Sequence, residues 1–552
     1  MTFSKASTIA LRHCQKALGV KGLKAEKPRQ GEHGDVAVAL FEAAKQLRQN
    51  PAMLAQKIAE QKPPKEFSQV QAVGPYANFF YSQKFVAKEL EGALKQGFGN
   101  GKEGKGKKAV VEYSQPNPGK PMHLGHIRST ILGDVAARLL SATGFYVVRM
   151  NYLNDRGAHI AELITALSEF KELPEVRDEK GLMEYYVKIK KEIEAKPELK
   201  QKSVTVLTKI DAGDAETMAR LRQIREMSLA AFQRNYSTLG IEFDEVVNET
   251  TLLKDAMKTV GECLKKKIAF VDKDGTTIAD LEKHGLPNTV LLRSNNSPIY
   301  LTSDLALADY KWRKYRFDES VYFTASEQNL HFQQLFKILS LLKRPFANQL
   351  RHVGFGLISL PEGKMSTRQG RVILLEDVLS EAVGFARAEV EKRERTEEID
   401  EVSKAIGVGS LKFAFLRISP EKTITFDPKK AVEFEGDTGA YVQYSHVRCA
   451  SILQKAGGSK AKKMAWLDLH EERLAKKIIE FPDIIAQSAR SLQPHVLCDY
   501  LLALSHEFNS FYANCQVLES ERKEERLVLV AAAKNALGKG LSLLGIKAIE
   551  KM

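Results

Sequence analysis

The stretch Pro116-Asn-Pro-Gly-Lys-Pro121 lies between a β-branched run and a long apolar-periodic segment, and it limits what the surrounding chain can become. Its prolines and glycine can extend neither a strand nor a helix. Before it, Val110, Val111 and Tyr113 suit a buried strand; after it, Ile127, Ile131, Leu132, Val135, Leu139 and Leu140 recur at helical spacing until Gly144. Tyr146 to Met150 opens another β-rich run. The unit therefore reads strand, loop, helix, strand, a crossover between parallel strands with its loop at their carboxyl edge.

The helix opens on His123-Leu-Gly-His126. A helix N-terminus offers unpaired N–H groups and a positive dipole end, which suits an anion. His123 and His126 face the same way from a first turn, and Gly125 lets a base or a phosphate approach the backbone. Two imidazole donors can stabilise charge developing on a phosphate during displacement. The alternative is a zinc pair, but no cysteine or further histidine lies nearby at ligand spacing, so no structural zinc and no metal ligands are expected. Far downstream, Gly363-Lys-Met-Ser-Thr-Arg-Gln-Gly370 is a polar loop with glycine at both ends, followed by Val372, Ile373, Leu374 and Leu375. Alone it would pass for solvated surface.

Together, His-Leu-Gly-His and Lys-Met-Ser-Thr-Arg resemble the HIGH and KMSKS signatures of class I aminoacyl-tRNA synthetases in order and separation. The match narrows to arginyl-tRNA synthetases through Glu112-Tyr-Ser-Gln-Pro-Asn117, Ile127-Arg-Ser-Thr130, Tyr300-Leu-Thr-Ser-Asp304, Glu327-Gln-Asn-Leu-His-Phe332 and Asp437-Thr-Gly-Ala-Tyr-Val-Gln-Tyr444. The resemblance implies an α/β fold: a Rossmann-type catalytic domain with a helical insertion, a small α/β N-terminal domain and an all-α anticodon-binding domain. The expected boundaries are 1–100, a linker at 101–108, 109–385 with the insertion at about 169–248, and 386–552.

It also implies ATP-dependent ligation of arginine to tRNA through an arginyl-adenylate, activation that depends on bound tRNA, and ATP used with Mg2+. Glu112, Ser114, Asn117, His126, Tyr300, Asp304 and Gln328 would hold arginine. A carboxylate such as Asp304 can pair twice with a planar guanidinium, a geometry lysine cannot copy. His123, Gly125, His126, Lys364, Met365, Ser366, Thr367 and Arg368 would hold ATP, with His123, His126, Lys120 and Lys364 catalytic. Thr367 stands where the signature has its second lysine, and Lys120 is the expected substitute. His331 and Phe332 either flank adenine or pack a helix.

Composition is compatible. The 552 residues, 43% hydrophobic, allow two to four domains, and a net charge of +14 favours a polyanionic partner. Five scattered cysteines, without paired spacing, argue for a reducing compartment. The basic first residues read as a helix of the N-terminal domain, with Ile9, Leu11, Leu18 and Val20 packing, and not as a transit peptide. No stretch reaches transmembrane length, and a cytoplasmic monomer is expected.

Aromatic and amide residues suit unstacked RNA bases. The resemblance implies that the N-terminal domain contacts the tRNA elbow, and Asn78 and Phe79, in Gly74-Pro-Tyr-Ala-Asn-Phe-Phe-Tyr81, are the candidates there, unless the aromatics are core. Tyr441, Gln443, Tyr444, His446 and Arg448 are candidates for the anticodon, about half of them facing inward. Gly97 to Lys108 reads as a glycine- and lysine-rich linker. Two rivals are a class I synthetase for another amino acid and a tRNA-binding protein that has lost catalysis.

Overall fold

The computed structural model describes residues 2–28, 31–359, 373–393, 398–425, 436–457, 464 and 467–551. In the N-terminal module, helix α1 (Thr2–Leu18) buries Ala6, Ala10, Cys14 and Leu18, whereas Ile9 and Leu11 are only half-buried. One residue every fourth position lays a single stripe on the sheet. That sheet is antiparallel, ordered β1-β2-β4-β3, from β1 (Lys24–Glu26), β2 (Val36–Ala39), β3 (Phe67–Val73) and β4 (Tyr76–Tyr81). Helices α2 (Phe41–Leu47) and α3 (Pro51–Ala59) precede β3, and α4 (Gln83–Ala93) follows β4.

This arrangement corrects the expectation for Phe79. It lies opposite Val36 and Val70, is 0% exposed, and packs its ring 4.9 Å from that of Phe67. A ring in that position cannot stack on an incoming base. Asn78, on the opposite face of the strand, is buried as well. The stretch from Gly97 to Lys108 is likewise no free linker. Gly101 and Gly104 donate to the carbonyls of Ala142 and Thr143 at 2.8 and 2.9 Å, and a Cβ at Gly104 would sit 2.0 Å from the Phe145 ring. Glycine permits that close approach.

The central sheet is wholly parallel. β5 (Lys108–Glu112) leads through α5 (Leu124–Ala142) to β6 (Tyr146–Leu153), and four helices then intervene: α6 (Ala158–Glu169), α7 (Glu179–Ala195), α8 (Pro197–Ala212) and α9 (Ala215–Leu239). The insertion thus begins earlier than expected, and Glu245–Asn248, placed at its end by the sequence, is edge strand β7. α10 (Leu253–Lys265) and a small antiparallel sheet of β8 (Ala269–Val271), β9 (Thr277–Ala279) and β10 (Thr289–Leu292) precede α11 (Tyr300–Tyr315). Then come β11 (Glu319–Ala325), α12 (Asn329–Leu341) and β12 (Leu350–Phe355). The order β12-β11-β5-β6-β7 reverses direction between β5 and β11, which opens a crevice at their carboxyl ends.

β13 (Ile358–Ser359) pairs in parallel with β14 (Ile424–Thr425), and between them in sequence lie the packed helices α13 (Leu375–Arg393) and α14 (Ile399–Leu416). Because α13 runs unbroken through residue 385, the expected boundary there falls inside a helix. α15 (Gly439–Lys455), α16 (Leu469–Ile479), α17 (Phe481–Ser491), α18 (His495–Asn514) and α19 (Lys523–Leu543) complete a helical bundle. The N-terminal module docks on it through Lys476 with Asp35 (3.0 Å) and the Phe3 N–H with Asp483 (2.9 Å). Among the described residues no helix is long and apolar enough to cross a membrane.

Candidate active site

The loop after β5 is strained and braced. Ser114 and Gln115 have φ of 78° and 51°, a left-handed conformation that costs roughly 1–3 kcal/mol at each non-glycine residue. The Ser114 N–H donates to Ser129 Oγ (3.0 Å), and the Ser114 hydroxyl bonds Thr130 Oγ1 and Tyr236 OH, each at 2.8 Å. The Gln115 N–H donates to Asn151 Oδ1 (3.2 Å), and the Gly119 N–H to Ser228 Oγ (2.8 Å). Tyr236 and Ser228 both belong to α9, so the insertion holds the loop in shape.

His123 and His126 cap α5 reciprocally. The Gly125 N–H donates to His123 Nδ1 and the His123 N–H to His126 Nδ1, both at 3.1 Å. With each Nδ1 accepting, each neutral ring carries its proton on Nε2. Burial, with Lys120 adding repulsion, pulls His123 down to about 4; burial and then His123 hold His126 well below the usual imidazole range. Both rings are therefore neutral Nε2–H donors near neutral pH. Lys120 lies with its ammonium 4.4 Å from the centre of the Tyr186 ring on α7.

Chain segments far apart in sequence meet at this helix start. The Leu124 N–H donates to Ile373 O and the Leu375 N–H to Met122 O, both at 3.0 Å, and His123 bridges Leu374. The residues that follow the second signature are thus bonded beside the first. Lys364, Met365, Ser366, Thr367 and Arg368 themselves lie outside the described residues.

Beside this start, a cleft of about 500 Å³ is lined by Glu112, Ser114, Asn117, Gly125, His126, Tyr300, Asp304 and Gln328, all expected from the sequence. It is also lined by Gln115, Ser129, Tyr152, Asn154, Thr324, His331, Phe332 and Phe355. One helical turn separates Tyr300 from Asp304, which puts both on the cleft face of α11. Asp304 Oδ2 is 2.6 Å from His331 Nε2, and this bond, prevailing over burial, raises the His331 pKa. Glu112 is ion-paired to the fully buried Lys311 and accepts from Gln115 Nε2 at 2.7 Å. Its charge is thus already balanced within the fold. Phe332 stacks on His352 (4.2 Å) and is 4% exposed, which makes it core as well as wall.

Glu249 gave no sequence signal. It is 1% exposed, accepts from Ser303 Oγ (2.9 Å), and burial pushes its pKa up to about 8. Burial raises the Tyr152 phenol, with Glu249 and Asp304 adding to the shift, and its OH has no hydrogen-bond partner among the described residues. Acidic residues at one end and imidazole donors at the other suit a cationic substrate that reacts with a phosphate.

Comparison with known proteins agrees. Residues 89–427 match the family model for the catalytic domain of class I (R) tRNA synthetases. The chain belongs to the arginyl-tRNA synthetases. Residues 5–81 match the arginyl-tRNA synthetase N-terminal domain, and 442–552 the DALR anticodon-binding domain. The arginine–tRNA ligase of Clostridioides difficile is 36% identical over 539 residues, covering 96% of this chain and 95% of its own. That of Halothermothrix orenii matches equally well, at 36% over 539 residues and the same coverage. The solved Thermus thermophilus arginyl-tRNA synthetase aligns with TM-score 0.85 and 28% identity over 100% of both chains. The reaction is thus the ATP-dependent ligation of arginine to tRNA.

In this synthetase the anticodon candidates divide by helical phase. Tyr441, Tyr444 and Arg448 share a half-buried face of α15. The Arg448 guanidinium lies 4.8 Å from the Tyr444 ring centre and 5.0 Å from that of Tyr512, beside a groove of about 960 Å³. Gln443 and His446 are core, which corrects that part of the expectation. Gln443 Nε2 donates to the carbonyls of Ala405 (3.2 Å) and Lys547 (2.9 Å), and His446 Nδ1 bonds Ile549 O (2.8 Å). Such side chains are committed to packing and cannot read a base. Tyr512 comes from α18 and no local pattern announced it.

Proposed function

We propose that the cleft forms arginyl-adenylate with the guanidinium between Tyr300 and Asp304, and with Gln328, Asn117, Glu112 and Ser114 surrounding the rest of the amino acid. The arginine carboxylate attacks the α-phosphorus of ATP in line, and pyrophosphate leaves. The Nε2–H groups of His123 and His126 donate to the phosphate oxygens as charge builds. Lys120 and Lys364, with magnesium entering as part of the triphosphate substrate, neutralise the leaving pyrophosphate. No covalent enzyme intermediate is needed, and the five cysteines are buried thiols.

The observation that carries this reading is the bonding of Met122–Leu124 to Ile373–Leu375 beside an acidic cleft. Tyr441, Tyr444 and Arg448 offer stacking and donor groups to the anticodon loop. Activation waits for tRNA, and Lys412 on α14 supplies a physical link between the bundle and the loop. Its buried ammonium donates to the carbonyls of Leu239, at the end of α9, and of Gly545 at 2.7 Å. The bundle thereby grips the helix that braces the nucleotide loop. The protein works as a cytoplasmic monomer.

Arginine-dependent exchange of pyrophosphate into ATP, with and without total tRNA, tests this. Exchange with arginine alone among amino acids, and only when tRNA is present, is expected. Exchange with lysine, or none from folded protein that binds tRNA, overturns the reading.

A further inference from the structure

Arg128, two residues past His126 on α5, has 0% exposure and is the largest fully buried side chain among the described residues. It forms no ion pair there. Its Nη1 donates to Gly356 O (2.6 Å) and to Lys422 O, and its Nη2 donates to Ser419 O (2.9 Å). Glu421 contributes only a longer-range attraction, and burial pulls the guanidinium down to about 10. A desolvated cation facing three carbonyls is an expensive way to fill space, since an apolar side chain of similar size would leave nothing to neutralise.

The three carbonyls come from two stretches that meet nowhere else in sequence. Gly356 lies just before β13, while Ser419 and Lys422 lie between α14 and β14. The Gly356 N–H donates to Pro420 O (2.8 Å) and the Ile424 N–H to Leu357 O (3.0 Å), so the stretches are zipped to each other as well as to Arg128. A Cβ on Gly356 would stand 2.6 Å from the Lys422 carbonyl. Meanwhile Ile373–Leu375 is bonded to Met122–Leu124. The described residues on both sides of 360–372 are therefore fixed to the first turns of α5, the helix that His123 caps.

We propose that Arg128 is a positioning residue for adenylate formation: its guanidinium sets the β13–β14 pair in register with the histidine-bearing start of α5. The three carbonyls are reached from two separate nitrogens of one rigid guanidinium plane, Nη1 and Nη2, a spread that the single nitrogen of an ammonium cannot reproduce. The proposal rests on the reading of the cleft as the adenylate-forming site, which wild-type exchange with arginine tests separately.

The experiment compares R128K, R128M and G356A in the full-length chain, with tRNA present. Measured are kcat and the KM values for ATP and arginine in exchange, tRNA affinity, and thermal unfolding. R128K is expected to lower kcat/KM for ATP about 10- to 100-fold, with arginine KM and tRNA affinity within about threefold of wild type. G356A, which parts the same carbonyls from the other side, should show the same split with Arg128 intact. If R128M does not fold, R128K and G356A still decide the matter. Loss of thermal stability with kcat/KM for ATP unchanged well below the transition, or an equal loss for ATP and arginine, would overturn the proposal.

Discussion

The two walls of the cleft both carry imidazoles, and the protein drives them in opposite directions. On the β5–α5 wall, burial and Lys120 hold His123 at about 4 and keep its ring neutral. On the α11–α12 wall, the bond to Asp304 raises His331 above the usual value. The residue type is the same; the difference lies in what faces it. In the proposed reaction a neutral donor serves a phosphate that becomes more negative, and the Asp304 carboxylate exchanges its imidazole partner for a guanidinium.

The severest test of this contrast is Asp304→Asn. Arginine KM should rise by about 10²- to 10³-fold, because a charge-assisted contact is lost. The His331 pKa, followed by NMR, should fall to or below the ordinary imidazole value, since only burial remains. An unchanged arginine KM would remove Asp304 from the substrate.

His126→Gln against His126→Asn probes the other wall. A glutamine amide can place its NH2 near the Nε2 position while asparagine imitates Nδ1, so Gln should retain at least tenfold more exchange activity than Asn. The reverse order would mean that capping, and not donation, is what the ring does.

Lys120→Ala should lower the activation rate about tenfold or more with calorimetric arginine affinity unchanged, and should raise the His123 pKa by removing a repulsive charge. A wild-type rate would end its role in neutralising pyrophosphate.

The smallest effect is with pH. His331 binds its proton more tightly folded than unfolded, so its bond to Asp304 is complete below the ordinary imidazole pKa and is lost as pH rises through the folded value. Arginine competes with that proton, so its KM should fall several-fold over the same rise and lose this dependence in His331→Gln. His123 has the opposite sign. Between its ordinary value and about 4 the unfolded chain binds more protons, so acidification through that window should destabilise the wild type more than His123→Gln, as thermal melts would show.

The reaction site was largely legible because its chemistry sits in short contiguous signals: prolines that end a strand, a helix start with two imidazoles, and a Tyr–Asp pair one turn apart. Glu249 and Tyr152 escaped notice because an isolated carboxyl or phenol carries no periodicity; only burial against Asp304 marks them. The candidate RNA-contacting residues were legible in type but not in facing. Phe79 and Gln443 have the composition of base-reading residues, and strand register and helix phase turned both into the core.

By itself the sequence determined the family, the β5–α5 loop and most of the candidate residues that line the cleft, because those depend on local backbone chemistry and on residue types at fixed spacing. Only the tertiary structure decided which imidazoles stay neutral, that Lys311 already balances Glu112, that α9 braces the nucleotide loop, and that Arg128 joins three carbonyls from distant stretches. These are consequences of desolvation and of contacts between residues hundreds of positions apart, and no local pattern encodes either.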